Sequence, residues 1–391
     1  MRTPASFLLR FLYDSKVRGY FAQAFVLGAV VAVLWFFVAN AAENLRRGGI
    51  ASGFGFLGTV SGIEVPFKLI DYGASGTYAR LLLVGVLNTL LISALGIVAA
   101  TILGFAIGIA RLSNNWLLSR ISGAFIEFVR NIPLLLFVFF WYFGIIRSLP
   151  GPRGSFNLLD TLFLNNRGLY LPSPESWLPF LIVPFALAVG LGAAWIISRW
   201  AAARRATTGR GFPALSIGAA LVVGLPLAAA VVVCNALSWD YPVLRGLNYR
   251  GGTSLIPEFV ALFAALSTYT AGFIAEIVRG GILAVSDGQR QAAAALGLRR
   301  GQILRLVIIP QAMRVIIPPL TSQYLNLIKN SSFGAVIAFP EIVSVFVGST
   351  LNQTGQAIEV IALTLAIYLA ISLAVSAIMN VYNRKTALVT R

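Results

Sequence analysis

Runs of roughly twenty apolar residues recur along the sequence, from residues 20–38 near its start to 357–381 near its end. A helix of about 20 residues rises ~30 Å, the thickness of a bilayer's hydrocarbon core. No water is available there to receive backbone polar groups, so each run is constrained to be a helix that satisfies its own hydrogen bonds. The composition agrees: 58% of residues are hydrophobic and 11% charged, outside the range of soluble domains. The expected class is an all-α polytopic membrane protein with about eight transmembrane helices.

The charged residues set an expected topology. The spans fall at 20–38, 81–110, 134–146, 178–197, 214–235, 257–278, from 313 onward, and 357–381. Segment 111–130 is too polar to span. Its Ile121, Phe125 and Phe128, with Arg120 and Arg130, fit an amphipathic helix at the interface. With the first residues inside, 20 of the 30 Lys and Arg fall on cytoplasmic segments and nine on outside segments; Lys329 is the remaining one. That bias over short loops predicts both termini in the cytoplasm. Ala39-Asn40-Ala41 has the look of a cleavage site, but the apolar run before it exceeds the ~7–15 residues of a signal peptide's core, so residues 1–41 are read as a cytoplasmic segment and first span.

Several chemistries are excluded. The +17 net charge is dispersed over short loops, with no dense basic face interleaved with aromatics, which argues against nucleic acid. With no histidine and one cysteine, Cys234, the chain builds no thiol pair, histidine metal cluster or Ser-His arrangement. It also lacks a Gly-x-x-x-x-Gly-Lys-Ser/Thr phosphate loop. No catalytic residue and no cofactor of its own are expected.

Between two apolar segments lies a polar, basic island, 287–310. Ala292 to Ala295 are strong helix formers with little bulk. Gly297 then supplies a residue able to take a positive φ and end that helix. A second helical run, 302–309, is expected to stop before Pro310. The result is a small two-helix knob at the membrane surface. Gln291-Ala292-Ala293 with Gly297 and Pro310 resembles the Glu-Ala-Ala loop of the membrane subunits of binding-protein-dependent ABC importers, and Phe128 to Leu135 resembles that family's Arg-Gly/Asn-x-Pro-Leu-Leu signature. The match is to the polar and general L-amino-acid permeases, the His/Glu/Gln/Arg type. The family's leading Glu is Gln291 here, so an ion pair there becomes a neutral hydrogen bond.

Polar groups at membrane depth are candidates for a pathway, because their burial is costly unless they face protein or water. Gln323, Asn326 and Asn330 follow one helical stripe, and Lys329, Asn330 and Ser331 arrive about 22 Å of helix after Arg314, short of a full crossing. A broken helix lining a cavity is expected there. Asn88 and Thr89 in the second span either pack or face the pathway. Glu276 and Arg279, three residues apart, pair or serve a gate. Small residues Gly85, Thr89, Ser93, Gly96, Ala100, Gly104 and Gly108 form a stripe that lets another helix approach.

The resemblance covers about 50–147 and 256–383. It implies a type I ABC importer fold with a core of five helices, and a translocation subunit in the bacterial inner membrane. Residues 1–41 form the first segment, 42–80 an extracytoplasmic connection and 81–147 the first part of the core. Residues 148–255 are an insertion with two extra helices, and 256–391 hold the second part of the core with the loop 287–310. It further implies docking of Gln291, Ala292, Ala293, Leu296, Gly297 and Leu298 on an ATPase subunit. The implied partners are two ATPase subunits carrying ATP and Mg, a second, homologous permease subunit, and an extracytoplasmic amino-acid-binding protein. A stand-alone secondary transporter or channel is the alternative; it would need its own coupling carboxylates, and Glu276 is the only acid expected well inside a core span.

Overall fold

A computed structural model describes residues 15–47, 53–176, 178–208, 212–236 and 238–386. It is mainly helical, with seven helices long and apolar enough to cross a membrane, or eight if a bent pair counts as one. The helices are α1 (Ser15–Arg47), α2 (Tyr78–Arg111), α3 (Trp116–Asn131), α4 (Leu134–Phe139), α5 (Ile182–Thr208), α6 (Ala214–Ala236), α7 (Pro257–Leu283), α8 (Asp287–Ala295), α9 (Arg300–Ile303), α10 (Ile309–Asn330), α11 (Leu351–Thr354) and α12 (Ala357–Thr386). The bent pair is α3 with the helical stretch from Leu134 to Ser148, at 111°. Pro133 stands at that corner, where its missing N–H costs the following helix nothing.

The chain divides into two compact units: Met1–Leu90 with Pro340–Tyr382, and Leu91–Phe339 with Asn383–Arg391. In the first, α1 presents apolar side chains on every side, among them Phe25 and Trp35, as lipid contact requires. The core of this unit gathers Phe56, Tyr72, Tyr78, Leu81 and Val84 with Ile342, Val345, Phe346 and Val360. Gly85 lets α2 approach the backbone of Ile342; a Cβ there would lie 2.7 Å from Val345 Cγ2.

In the second unit, α2 meets α7 through Gly104 and Gly108. A Cβ on Gly104 would fall 2.6 Å from Ile274 Cβ, and one on Gly108 would fall 2.7 Å from the Ala275 carbonyl oxygen. The small-residue stripe therefore serves close helix packing, the arrangement that dispersion contacts favour in lipid. Thr101 Oγ1 and Tyr324 Oη, 2.8 Å apart, join α2 to α10.

The segments around α5 and α6 carry strands that the helical reading did not include. β1 (Phe156–Leu158), β2 (Leu162–Asn165), β3 (Gly168–Leu171) and β8 (Thr253–Leu255) form an antiparallel sheet in that order. β4 (Ser173–Pro174) pairs with β5 (Trp239–Asp240), and β6 (Val243–Arg245) with β7 (Asn248–Arg250). Leu169 lies opposite Leu255 and Ser173 opposite Asp240, so the chain entering the α5–α6 hairpin is zipped to the chain leaving it. Phe163 stacks on Tyr249 at 4.5 Å, and Tyr170 bonds Asn248 at 2.8 Å.

Candidate functional site

The segment 287–310 forms the expected helix and elbow. At the end of α8 the Gly297 N–H donates to the Ala294 carbonyl at 2.9 Å, and the Leu298 N–H to that of Ala293 at 3.3 Å. This is a Schellman ending, which requires the left-handed φ of 77° that Gly297 adopts. Downstream, the Gln302 side chain accepts from the Arg299 N–H at 2.9 Å and caps α9. The elbow is thus fixed by backbone bonds on one side and a side-chain cap on the other.

Exposure sorts the docking candidates. Leu296 is 81% exposed, an uncovered leucine at the tip of a polar loop. Gln291, Ala292 and Gly297 are exposed, and Leu298 is half-buried. Ala293 is buried, 5% exposed, so it faces its own chain.

Pro310 does not end the second helical run, contrary to the sequence expectation. A π-turn, Leu304–Ile308, precedes it, and helix continues from Arg300 to Ile337 as one span. Local π geometry accommodates the bond that a proline removes, so the helix passes through. The seventh span consequently begins thirteen residues before the expected 313. Its break also falls later than the polar cluster: after Asn330 the helix tightens into a 3-10 stretch, Ser331–Ile337, and stops at Ala338, whose φ is 61°.

The polar residues of that span separate into two groups. Gln323, Asn326 and Asn330 line a cavity of about 210 Å³ together with Tyr269, Thr270 and Phe273 of α7. Tyr269 and Phe273 lie one turn apart with ring centroids 5.1 Å from each other. The cavity lining therefore carries three amides, the Thr270 hydroxyl and the Tyr269 phenol, with two aromatic rings. Lys329 is exposed and absent from that lining, and Ser331 is fully buried, its hydroxyl donating to the Ile328 carbonyl at 2.7 Å. The three α7 residues were not among the sequence candidates. Their spacing, 269, 270 and 273, puts them on one helix face, but an aromatic pair in an apolar span reads equally well as packing.

One turn beyond Phe273, Glu276 receives a two-pronged contact from Arg279, 2.7 Å from Nη2 and 3.0 Å from Nε. Arg130 of α3 approaches the same carboxylate at 4.0 Å. Asn88 and Thr89 are completely buried in the other unit. Asn88 Nδ2 donates to the carbonyls of Phe67 at 3.0 Å and Pro340 at 2.8 Å, and Thr89 Oγ1 accepts from the Ile342 N–H at 3.2 Å. They tie α2 to distant loops.

Glu276 is not the only interior acid. Glu341 is 0% exposed and accepts from the N–H groups of Val343 and Ser344, both at 2.8 Å, and from the Tyr368 hydroxyl at 3.1 Å. It escaped the sequence reading because it follows Pro340 outside any long apolar run. Among the described residues no three metal-ligating side chains converge.

Residues 197–388 match the family model for the binding-protein-dependent transport system inner membrane component. The putative amino-acid ABC transporter permease protein YhdX of Escherichia coli K12 is 51% identical over 97% of this chain and 96% of its own. The chain belongs to the ABC transporter permeases. The permease AapQ of the general L-amino acid transport system of Rhizobium johnstonii is 49% identical over 97% of this chain and 95% of its own. Among solved structures, an amino acid ABC transporter with histidines aligns over 79% of the permease and 95% of its own chain, with TM-score 0.47 and 20% identity. The permease is accordingly a multi-pass, non-catalytic membrane subunit.

Proposed function

We propose that this permease forms one side of the pathway of an L-amino-acid importer in the bacterial inner membrane and receives mechanical work through the 287–310 loop. The observation that carries the reading is Leu296, a large apolar side chain held 81% exposed on an elbow whose backbone bonds leave it little freedom. Exposed leucine at such a point is stabilised by a partner's apolar cleft, and the partner is a cytoplasmic ATPase subunit that binds ATP and Mg. Both termini and the loop face the cytoplasm, in keeping with the distribution of Lys and Arg. Two ATPase subunits, a homologous but distinct second permease and an extracytoplasmic binding protein complete the particle.

The amide-lined cavity is the contact for the passing amino acid. Asparagine and glutamine amides donate and accept, so they meet both the carboxylate and the ammonium of a zwitterion without adding net charge. Glu276, Arg279 and Arg130 lie on the cytoplasmic side of that cavity as a gate of paired charges. ATP binding changes the relative stability of two permease states, and the elbow conveys that change.

Leu296→Asp tests the coupling. The variant is expected to insert normally and to lose copurification of the ATPase together with uptake. Retained ATPase association and uptake would refute docking through this tip.

A further inference from the structure

The α5–α6 hairpin carries a feature separate from the amide-lined cavity and the 287–310 loop. At the end where its helices join, Ala194, Ala201, Ala202, Ala219 and Val222 wall an apolar groove of about 610 Å³, with Arg205 also in its lining. Arg199 and Arg204 lie on the same helix, their guanidiniums over the Trp195 and Trp200 rings at 4.9 and 5.2 Å. Cation–π contacts of this kind do not use up a guanidinium's N–H donors, which stay available to an anion. Between Glu175 and Asp240 the sequence holds four arginines, at 199, 204, 205 and 210, and no acidic residue. Among the described residues, no ion pair includes Arg199, Arg204 or Arg205. Nearly all the outer surface of both helices is exposed and apolar, as a lipid-facing hairpin requires.

We propose that this groove binds an anionic phospholipid, its phosphate at Arg205 with Arg204 beside it and one acyl chain among the alanines. An apolar slot that ends at unpaired cations matches a molecule with a hydrocarbon tail and a negative head. A zwitterionic lipid offsets its phosphate with its own ammonium and so meets the arginines with no net charge, and a free anion leaves the slot unfilled. The proposal rests on the orientation given above, which sets the 199–210 turn at the cytoplasmic leaflet.

The test is native mass spectrometry of the complete transporter exchanged into detergent containing equal amounts of phosphatidylglycerol and phosphatidylcholine. Phosphatidylglycerol is expected to be retained preferentially. Arg205→Gln should lower its retention about fivefold, the worth of one arginine near an anionic surface, whereas Arg205→Lys keeps most of it. Ala219→Phe, which fills the slot and leaves every charge in place, should also lower retention. Equal retention of the two lipids, insensitivity to both Arg205→Gln and Ala219→Phe, or full displacement by inorganic phosphate would overturn the proposal. So would a photo-crosslinker at position 219 capturing a helix of the second permease instead of lipid. Retention does not depend on uptake, so its failure leaves the import reading standing. Labelling of Thr207→Cys, in a Cys234→Ala background, by an impermeant reagent from outside would instead sink the orientation.

Discussion

The side-chain amide of Asn88 donates to the carbonyl of Pro340 at 2.8 Å, joining positions 252 residues apart. The same nitrogen holds the Phe67 carbonyl at 3.0 Å, so one buried amide secures two loops to α2. Asn88→Leu keeps the branching and the number of side-chain heavy atoms and removes both bonds. Each orphaned buried carbonyl costs ~1–3 kcal/mol, so the variant should unfold in detergent at a clearly lower temperature than the parent. An unchanged unfolding temperature with impaired uptake would mean instead that Asn88 meets substrate.

Ala293 and Leu296 make the loop testable from its two sides. Ala293→Leu forces bulk into a buried position and should cost ~1–3 kcal/mol of local stability, whereas Leu296→Ala should weaken ATPase association and leave thermal stability unchanged. Equal thermal stability of the two variants would contradict the inward placement of Ala293.

Gly297 adopts φ 77° with open space around it, so a Cβ there meets no neighbour and only the backbone conformation is at stake. Gly297→Ala is expected to cost ~1–2 kcal/mol. The elbow should loosen, seen as faster hydrogen exchange at Leu298, and uptake should fall in step. Unaltered exchange at that amide would show that the elbow does not depend on the left-handed turn.

Asn326 lines the amide cavity and Lys329, one turn further, does not. Loss of one hydrogen bond of ~0.5–1.5 kcal/mol gives an expected rise of roughly two- to thirteenfold in the half-saturating amino-acid concentration for Asn326→Ala. Lys329→Met should leave it near the parent value. Uptake assays in vesicles that rank the two variants the other way would remove the cavity from the substrate path.

Glu341 accepts two backbone N–H bonds and one from Tyr368 while wholly buried. Glu341→Ala leaves two part-buried amide protons without their acceptor, at up to ~1–3 kcal/mol each, and Glu341→Gln, which retains an acceptor oxygen, should recover part of that loss. Comparable thermal stability of the alanine and glutamine variants would argue against this bonding.

Local chemistry explains what could be read without coordinates. Apolar run length decided the helical membrane class, because the bilayer leaves backbone groups no other partner. The four alanines followed by Gly297 dictated the helix and its left-handed stop, and the spacing of Glu276 and Arg279 dictated their contact, since residues three apart on a helix are neighbours. Gln323, Asn326 and Asn330 were legible as one stripe for the same reason. Tertiary packing decided the rest. The partners of Asn88, the carbonyls of Phe67 and Pro340, lie at positions that no periodicity links to it. The membership of Tyr269, Thr270 and Phe273 in the amide cavity depended on how α7 meets α10. Passage of the helix through Pro310 depended on a π-turn that residue propensities do not announce. A sequence states what each segment can do with its own neighbours along the chain; burial and partners at a distance are settled only when the segments pack.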